Sequence, residues 1–183
     1  EEAIRTLAAL VQRYIDTTSN LPEDAEFPVF DRARREMLSA LHVMAIQMGP
    51  SLTDIVNEYF LFTVIGAIVT PYGTTFFWLG DGTLFVNGAK YPLGPFPDNA
   101  PPYLAYGLVD TSLADSRFEL VHLPPIPTRE LESFLIGTDG VGELVAAEGR
   151  KIPGKNELVG PLDQFWKDDR YFSNPDAVNR MLR

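Results

Sequence analysis

A chain of 183 residues with a net charge of -10, no cysteine and two histidines is incompatible with several classes of protein. Its length allows a full hydrophobic core without a disulfide or a structural metal, and the missing cysteines exclude thiolate nucleophiles, disulfide frameworks and cysteine-based zinc sites. The acidic balance argues against binding to nucleic acids or anionic membranes, which depends on clustered Lys and Arg, and it suits a protein that gathers divalent cations.

Targeting and membrane signals are weak in this sequence. The longest apolar run, residues 59–70, is shorter than the roughly 17 to 25 residues that a membrane helix needs, and no signal-peptide pattern opens the chain. We therefore expect no membrane segment, and the lack of cysteine favours a cytoplasmic location. The sequence begins inside a helical pattern without an initiating Met, so we expect it to be a fragment of a longer protein.

The first half of the chain changes from helical to strand periodicity. Apolar residues at helical spacing predict helices over 1–15 and 31–48, and Gly49-Pro50 ends the second one. The residues expected to face inward in the second helix are Ala33, Met37, Leu41, Met44, Ala45 and Met48. His42 flanks that stripe, so we interpret it as structural.

Continuous apolar runs rich in β-branched residues predict the strands. The predicted strands lie at 60–70, 74–79, 83–86, 89–93, 103–109, 118–123 and 133–138. Asp-Gly at 81–82 and Asn-Gly at 87–88 are typical of hairpin turns, so the strands around them are predicted to form an antiparallel meander.

The rest of the chain supplies loops and further helices. Four prolines mark residues 94–102 as an extended surface loop, and a short helix is predicted after Gly140. A loop rich in Gly, Pro and Lys at 149–156 precedes a closing helical pattern in which Trp166 is expected to be a packing residue. Helices, then strands, then helices predict a layered α+β domain with helices packed on the faces of the sheets.

Two predicted strands end on an aspartate followed by glycine, at Asp81 and Asp139. If these strands belong to neighbouring sheets, both carboxylates can meet at one rim, where Glu143, one helical turn after Asp139, can face the same ion. Carboxylate oxygens are the ligands that Mg²⁺ and Mn²⁺ prefer. The plainer alternative stays open: Asp139 caps the next helix, Asp81 forms a turn, and Glu143 is solvated.

Four segments of the sequence carry a resemblance to a known family. They read FLFTVIGAIVT, FFWLGDGTLFVNG, YPLGPFPDNAPPYLAY and SFLIGTDGV, in this order. Together they resemble the metal-dependent serine/threonine protein phosphatases of the 2C type, in a bacterial form close to the sporulation-phosphatase branch. The likeness covers residues 60–143 and is most specific at the two Asp turns.

The resemblance implies a fold, a metal centre and a reaction. The fold is an antiparallel β-sandwich flanked by helices, in α-β-β-α layers. Asp139 matches a ligand of a dinuclear Mn²⁺ or Mg²⁺ centre, while Asp81 and Glu143 match positions associated with a third, looser ion. Glu143 stands where the family more often has Asp. The implied reaction is hydrolysis of phosphoserine and phosphothreonine in a phosphorylated protein, by a hydroxide that bridges the metals.

Parts of the family pattern are missing from these residues. We find no Asp-Gly before the first helix, no acidic strand after Arg183 and no early arginine for the substrate phosphate. We therefore expect residues 1–183 to form one phosphatase-like domain that lacks its N- and C-terminal strands. Two alternatives remain. The first is a catalytically degenerate domain that regulates or binds proteins, with the Pro-rich loop as partner site; the second is an acidic interaction domain whose Asp-Gly turns are only turns.

Overall fold

The computed structural model describes residues 28–110, 118–152, 154–174 and 176. The chain divides into two compact units, Glu1–Ile136 and Gly137–Arg183. The helix predicted over 1–15 lies outside the described residues. Within the described part of the chain, no helix combines the length and the apolar character that a membrane crossing requires.

Two helices open the described part of the first unit. Helix α1 spans Pro28–Met48, so the predicted helix is confirmed and begins three residues earlier, at a proline, whose fixed φ suits a first helical turn. Helix α2 spans Leu52–Tyr59 and was not predicted. Ser51 caps it by accepting a hydrogen bond from the Asp54 N–H at 3.3 Å, which is a common helix-start signal.

The buried face of α1 matches the predicted stripe only in part. Ala33, Met37, Leu41 and Ala45 are buried, as expected, whereas the prediction was wrong for two methionines. Met44 is 45% exposed because it lies beside the stripe, and Met48 is 47% exposed because it lies in the last turn, beyond the final buried position. His42 is exposed.

The strands of the first unit form two antiparallel sheets. In the first sheet, β1 (Val64–Val69) pairs with β2 (Gly73–Leu79), and the other side of β2 pairs with the short strands β5 (Val121–His122) and β6 (Ile126–Pro127). In the second sheet, β3 (Gly82–Val86) lies between β4 (Ala89–Leu93) and β7 (Phe134–Gly137).

One predicted hairpin is confirmed and the other is wrong. The β3–β4 hairpin turns on Asn87 and Gly88, with φ of 49° and 79°, the positive values that a tight two-residue hairpin needs. In contrast, β2 and β3 belong to different sheets, so Asp81 does not close a hairpin. The link at Gly80 and Asp81 carries the chain from one sheet to the other, and the predicted meander is interrupted there.

Two further strand predictions were wrong or too long. Residues 103–109 contain a 3₁₀ helix, Leu104–Leu108, because Leu104 and Ala105 are buried in the core that contains α1 and α2. Of residues 118–123, only Val121–His122 form a strand. The first residues of the predicted strand 60–70 follow the end of α2, where the Phe60 N–H donates to the carbonyl oxygen of Val56 at 3.0 Å.

Two cores hold the first unit together, and alternate residues of β2 contribute to each. Phe77 and Leu79 pack with α1 and α2, whereas Phe76 and Trp78 pack with the second sheet, as the two-residue period of a strand requires. The second core joins the sheets through Phe76, Leu84, Val86 and Leu93. The α+β class is therefore confirmed, with helices, first sheet and second sheet in layers. A second helical layer stays a prediction.

The strand that leads to Asp139 is less buried than expected. A short apolar run closed by Asp-Gly, as at 133–138, is typical of a buried core strand, and β7 does form there. However, Phe134 is 42% exposed and Ile136 is 36% exposed. Within the part of the chain that the structure describes, β7 pairs only with β3, forms the edge of that sheet and carries partly exposed side chains.

The second unit contains short helices and a small hairpin. The predicted helix after Gly140 is confirmed as α3, Gly140–Ala147, and α4 (Gln164–Lys167) and α5 (Asp169–Ser173) follow later. The predicted loop at 149–156 belongs to a hairpin closed by a bridge between Lys151 and Leu158. Trp166 is half-buried.

Candidate metal site

Asp81 lies at the corner where the chain leaves the first sheet and enters the second. Its side chain is half-buried, and its Oδ1 accepts a hydrogen bond from the Thr63 hydroxyl at 2.5 Å. Among the described residues, no Lys or Arg forms an ion pair with Asp81 and no group donates a hydrogen bond to its Oδ2. One oxygen of this carboxylate is thus oriented by Thr63, and the other can serve as a ligand of a cation.

The backbone conformation of Gly80, just before Asp81, makes the hydrogen bond between Asp81 and Thr63 possible. Gly80 has a φ of 107°, and a Cβ at this position would lie 2.7 Å from the Thr63 hydroxyl oxygen. A side chain at residue 80 would therefore meet strain in its own backbone and a clash with Thr63. Glycine allows the corner to pass close to Thr63, so the Asp81 carboxylate can reach the hydroxyl.

Asp139 lies at the start of α3 and is exposed. Its Oδ1 accepts a hydrogen bond from the Gly140 N–H at 2.9 Å, and its φ and ψ of -54° and -32° are helical. A good N-cap instead has extended φ and ψ and accepts from the second or third N–H of the helix. Asp139 thus caps α3 only imperfectly, and the role of a helix cap does not account fully for an aspartate here.

Glu143 lies on the first turn of α3, four residues after Asp139, so both carboxylates occupy the same side of this helix. The Glu143 side chain is exposed. It takes part in no hydrogen bond or ion pair with other described residues. The position of Glu143 agrees with the prediction that it faces the same ion as Asp139. The same position is also ordinary for a solvated glutamate near a helix N-terminus.

The donor chemistry of these side chains suits Mg²⁺ or Mn²⁺, but their number does not. Within either unit, the described residues contain no group of three or more His, Asp or Glu side chains that could hold a metal ion. Asp81 belongs to the first unit, whereas Asp139 and Glu143 belong to the second. Neither unit therefore builds a dinuclear metal centre from its described residues alone, since one or two carboxylates hold a divalent ion only together with waters or substrate phosphates.

Sequence reasoning missed one residue that bears directly on this site. Thr63 is the hydrogen-bond partner of Asp81, yet it lies 18 residues earlier in the chain and looked like part of an apolar strand. The only signal for it was a polar hydroxyl within an otherwise apolar run.

No family model, curated protein or solved structure matches this chain. The resemblance to the 2C-type phosphatases therefore stays a prediction based on the quoted segments, and the roles of Asp81, Asp139 and Glu143 are proposals.

Proposed function

We propose that this chain is part of a metal-dependent serine/threonine protein phosphatase of the 2C type, which hydrolyses phosphoserine and phosphothreonine on a protein substrate in the cytoplasm. Mn²⁺ or Mg²⁺ is the proposed cofactor, with two or three ions. The metal ligands offered by this chain are Asp139, Asp81 and Glu143, and the remaining ligands come from residues that we have not identified.

One observation carries the proposal: Asp81 is a half-buried carboxylate with a fixed Oδ1 and no cationic partner among the described residues. The ordinary explanation of its Asp-Gly sequence is a hairpin turn, and that explanation fails because β2 and β3 do not pair. The imperfect capping by Asp139 adds to the argument, because it weakens the ordinary explanation of the second aspartate as well.

A second candidate function is a degenerate phosphatase-fold domain that binds or regulates another protein. The observation in its favour is that neither unit gathers three acidic or histidine side chains among its described residues. Under this alternative, Asp81 and Asp139 stabilise their corner and helix and bind no ion.

The two candidates differ in what Asp139→Asn does to the complete protein. If Asp139 is a metal ligand, the variant loses Mn²⁺-dependent hydrolysis of para-nitrophenyl phosphate and of a phosphothreonine peptide. The Asn side chain keeps an oxygen that can accept the Gly140 N–H, and even complete loss of a cap costs only about 1 kcal/mol of stability, so the variant stays folded. Asp54→Asn removes the same charge from the first turn of α2, far from the proposed ligands in the sequence, and serves as the control.

The other two ligands are expected to behave more mildly. Asp81→Asn and Glu143→Gln raise the Mn²⁺ concentration needed for half-maximal activity more than they lower the maximal rate. Normal turnover in the folded Asp139→Asn variant would refute the metal assignment. Equal and complete loss in all three variants would instead indicate one tightly shared site. A complete protein with no hydrolysis under any metal would support the binding module.

A further inference from the structure

The exposed cations of the described residues are unevenly matched with carboxylates. Most of them lie within ion-pair distance of an acidic side chain: Arg32, Arg35, Arg129, Lys167 and Arg170. The hydrogen bonds from Arg170 even hold the pKa of the Asp168 carboxyl below its ordinary value. Such pairing is expected in a chain of net charge -10, where acidic groups outnumber basic ones.

The described cations that form no such pair are concentrated in one hairpin of the second unit. Arg150, Lys151 and Lys155 are all exposed there, and no carboxylate of the described residues lies within ion-pair distance of any of them. Two other described cations also lack an ion pair with a described carboxylate. They are the buried Arg34, which donates to the Phe118 carbonyl oxygen, and the exposed Lys90. We call residues 149–152 and 154–159 the basic hairpin; these residues include three exposed cations and one exposed acid, Glu157.

The basic hairpin is well defined by backbone hydrogen bonds. Gly149 and Arg150 together oppose Val159, through bonds of 2.9 Å and 2.8 Å, and the φ of 75° at Gly149 is typical of a β-bulge that starts with glycine. The Ile152 N–H donates to the Glu157 carbonyl oxygen at 2.9 Å. Backbone hydrogen bonds thus fix the two strands that carry Arg150 and Lys151, and the Lys155 N–H donates to the Ile152 carbonyl oxygen at 3.0 Å.

An exposed apolar side chain accompanies the charges. Lys151 and Leu158 are directly opposite each other in the hairpin, and the bonds on either side of them mark a pair without its own hydrogen bonds, in which side chains come closest. Leu158 is 58% exposed. A cation beside an open leucine offers a partner both an ionic and an apolar contact.

We propose that the basic hairpin binds an anionic segment of a protein partner, in which phosphorylated or acidic side chains lie next to an apolar residue. In so far as that partner is the phosphatase substrate, this inference rests on the proposed function. Cations after a helix also interact favourably with the C-terminal end of its dipole, and Arg150 lies close to the end of α3. That effect extends only over the last turn of a helix, and Lys155 lies farther along the chain, at the tip of the hairpin, so the dipole of α3 does not explain it.

The distance between Asp139 and the basic hairpin predicts how far apart the phosphorylated residue and the anionic residue lie in the substrate. The Arg150 N–H donates to the carbonyl oxygen of Ala147, the last residue of α3, whereas Asp139 precedes the first residue of the same helix. Eight helical residues span about 12 Å, and an extended peptide covers about 3.3 Å per residue. The anionic residue is therefore expected about four positions from the phosphorylated residue near Asp139.

The test measures the binding of labelled peptides to the complete protein by fluorescence anisotropy. EDTA is present so that no metal-dependent turnover occurs during the measurement. Three phosphothreonine peptides share one apolar residue and differ four positions away, where they carry phosphoserine, Glu or Gln. The variant Arg150→Gln/Lys151→Gln/Lys155→Gln is expected to bind the first two peptides about tenfold more weakly, which corresponds to about 1.4 kcal/mol. Lys90→Gln, which removes an unpaired exposed cation from β4, is the matched control and is expected to change the affinity less than twofold.

The outcomes separate this inference from the phosphatase proposal. Unchanged peptide affinity in the triple variant, or equal binding of the Gln peptide, would overturn the proposed surface. Equally tight binding of a single-stranded DNA of the same charge would overturn it too, because it would show attraction to any polyanion. If hydrolysis survives Asp139→Asn while the triple variant loses peptide binding, the metal assignment fails and the basic hairpin stands. Lys155→Gln alone, at the turn, provides the same comparison should the triple variant be destabilised.

Discussion

Thr63 and Asp81 are 18 residues apart in the chain, and one hydrogen bond between their side chains joins them at 2.5 Å. The bond orients one carboxylate oxygen of Asp81 while the other oxygen accepts no hydrogen bond from a described residue. Gly80 makes the contact sterically possible. At the residue scale, Thr63 therefore stabilises the corner between the sheets and, under the proposed function, presents Asp81 to a cation.

Thr63→Val removes the hydroxyl and keeps the shape of the side chain. Because a hydrogen bond to a charged group contributes about 1.5–3 kcal/mol when well shielded, and Asp81 is only half-buried, we expect a loss of about 1–2 kcal/mol in the free energy of unfolding. Thr63→Ser keeps the hydroxyl and should lose less. Urea unfolding measures both. Equal stability of the Val variant and the wild type would show that the bond is unimportant in solution.

At the scale of elements, Asn87 connects the β3–β4 hairpin to the start of β7. Its Nδ2 donates to the Glu130 carbonyl oxygen at 2.8 Å, and its Oδ1 accepts from the N–H groups of Glu132 and Ser133 at 2.7 Å and 3.2 Å. Its own N–H donates to the Ser133 carbonyl oxygen at 2.8 Å. One turn residue thus holds the segment that leads into β7, which forms the edge of the second sheet among the described residues.

Replacing Asn87 should loosen this connection in a graded way. Asn87→Ala loses the side-chain bonds and places a Cβ residue at a φ of 49°, and we expect it to cost about 2 kcal/mol of stability. Asn87→Gly loses the same bonds without backbone strain, so it should be less destabilised than Ala. Asn87→Asp keeps the acceptor oxygen and should be the mildest. Hydrogen exchange of the β7 amides checks the order, and a Gly variant weaker than Ala would contradict it.

At the scale of the whole molecule, the acidic residues are many but dispersed. The net charge of -10 attracts cations generally, whereas strong binding requires several anionic oxygens in one place. Within each unit, the described residues offer no such group of three. General attraction by the net charge therefore predicts weak, salt-dependent metal binding, whereas specific coordination would predict tight binding at one site.

We expect the 183-residue chain to bind Mn²⁺ weakly, with a dissociation constant of about 1 mM or higher, because affinity follows the number and charge of the ligands. Isothermal calorimetry with Mn²⁺, at low and at physiological salt, measures this. A weak signal that disappears with salt would reflect general attraction. Saturable micromolar binding that is lost in both Asp81→Asn and Asp139→Asn would show instead that the two carboxylates share an ion.

Elements whose signals are local were predictable from the sequence. The helix now seen as α1, the strands β2, β3 and β4, and the helix α3 all depend on periodicity and turn residues within a few positions of each other. Asn87-Gly88 predicted the β3–β4 hairpin because Asn and Gly readily adopt the two positive φ values that such a turn requires. The acidic residues of the candidate site were also visible, because an aspartate after an apolar run is a feature of the sequence itself.

The sequence by itself thus determined the local elements and the overall α+β class, because hydrophobic period and turn chemistry act over short distances. The tertiary structure decided which elements meet. The Asp81-Gly82 turn has the local signature of a hairpin, but β2 and β3 lie in different sheets, which pack on each other through Phe76 and Leu84. The partner of Asp81 at Thr63 and the contacts of Asn87 with residues 130–133 likewise join distant parts of the chain, and no periodicity within one segment encodes such contacts.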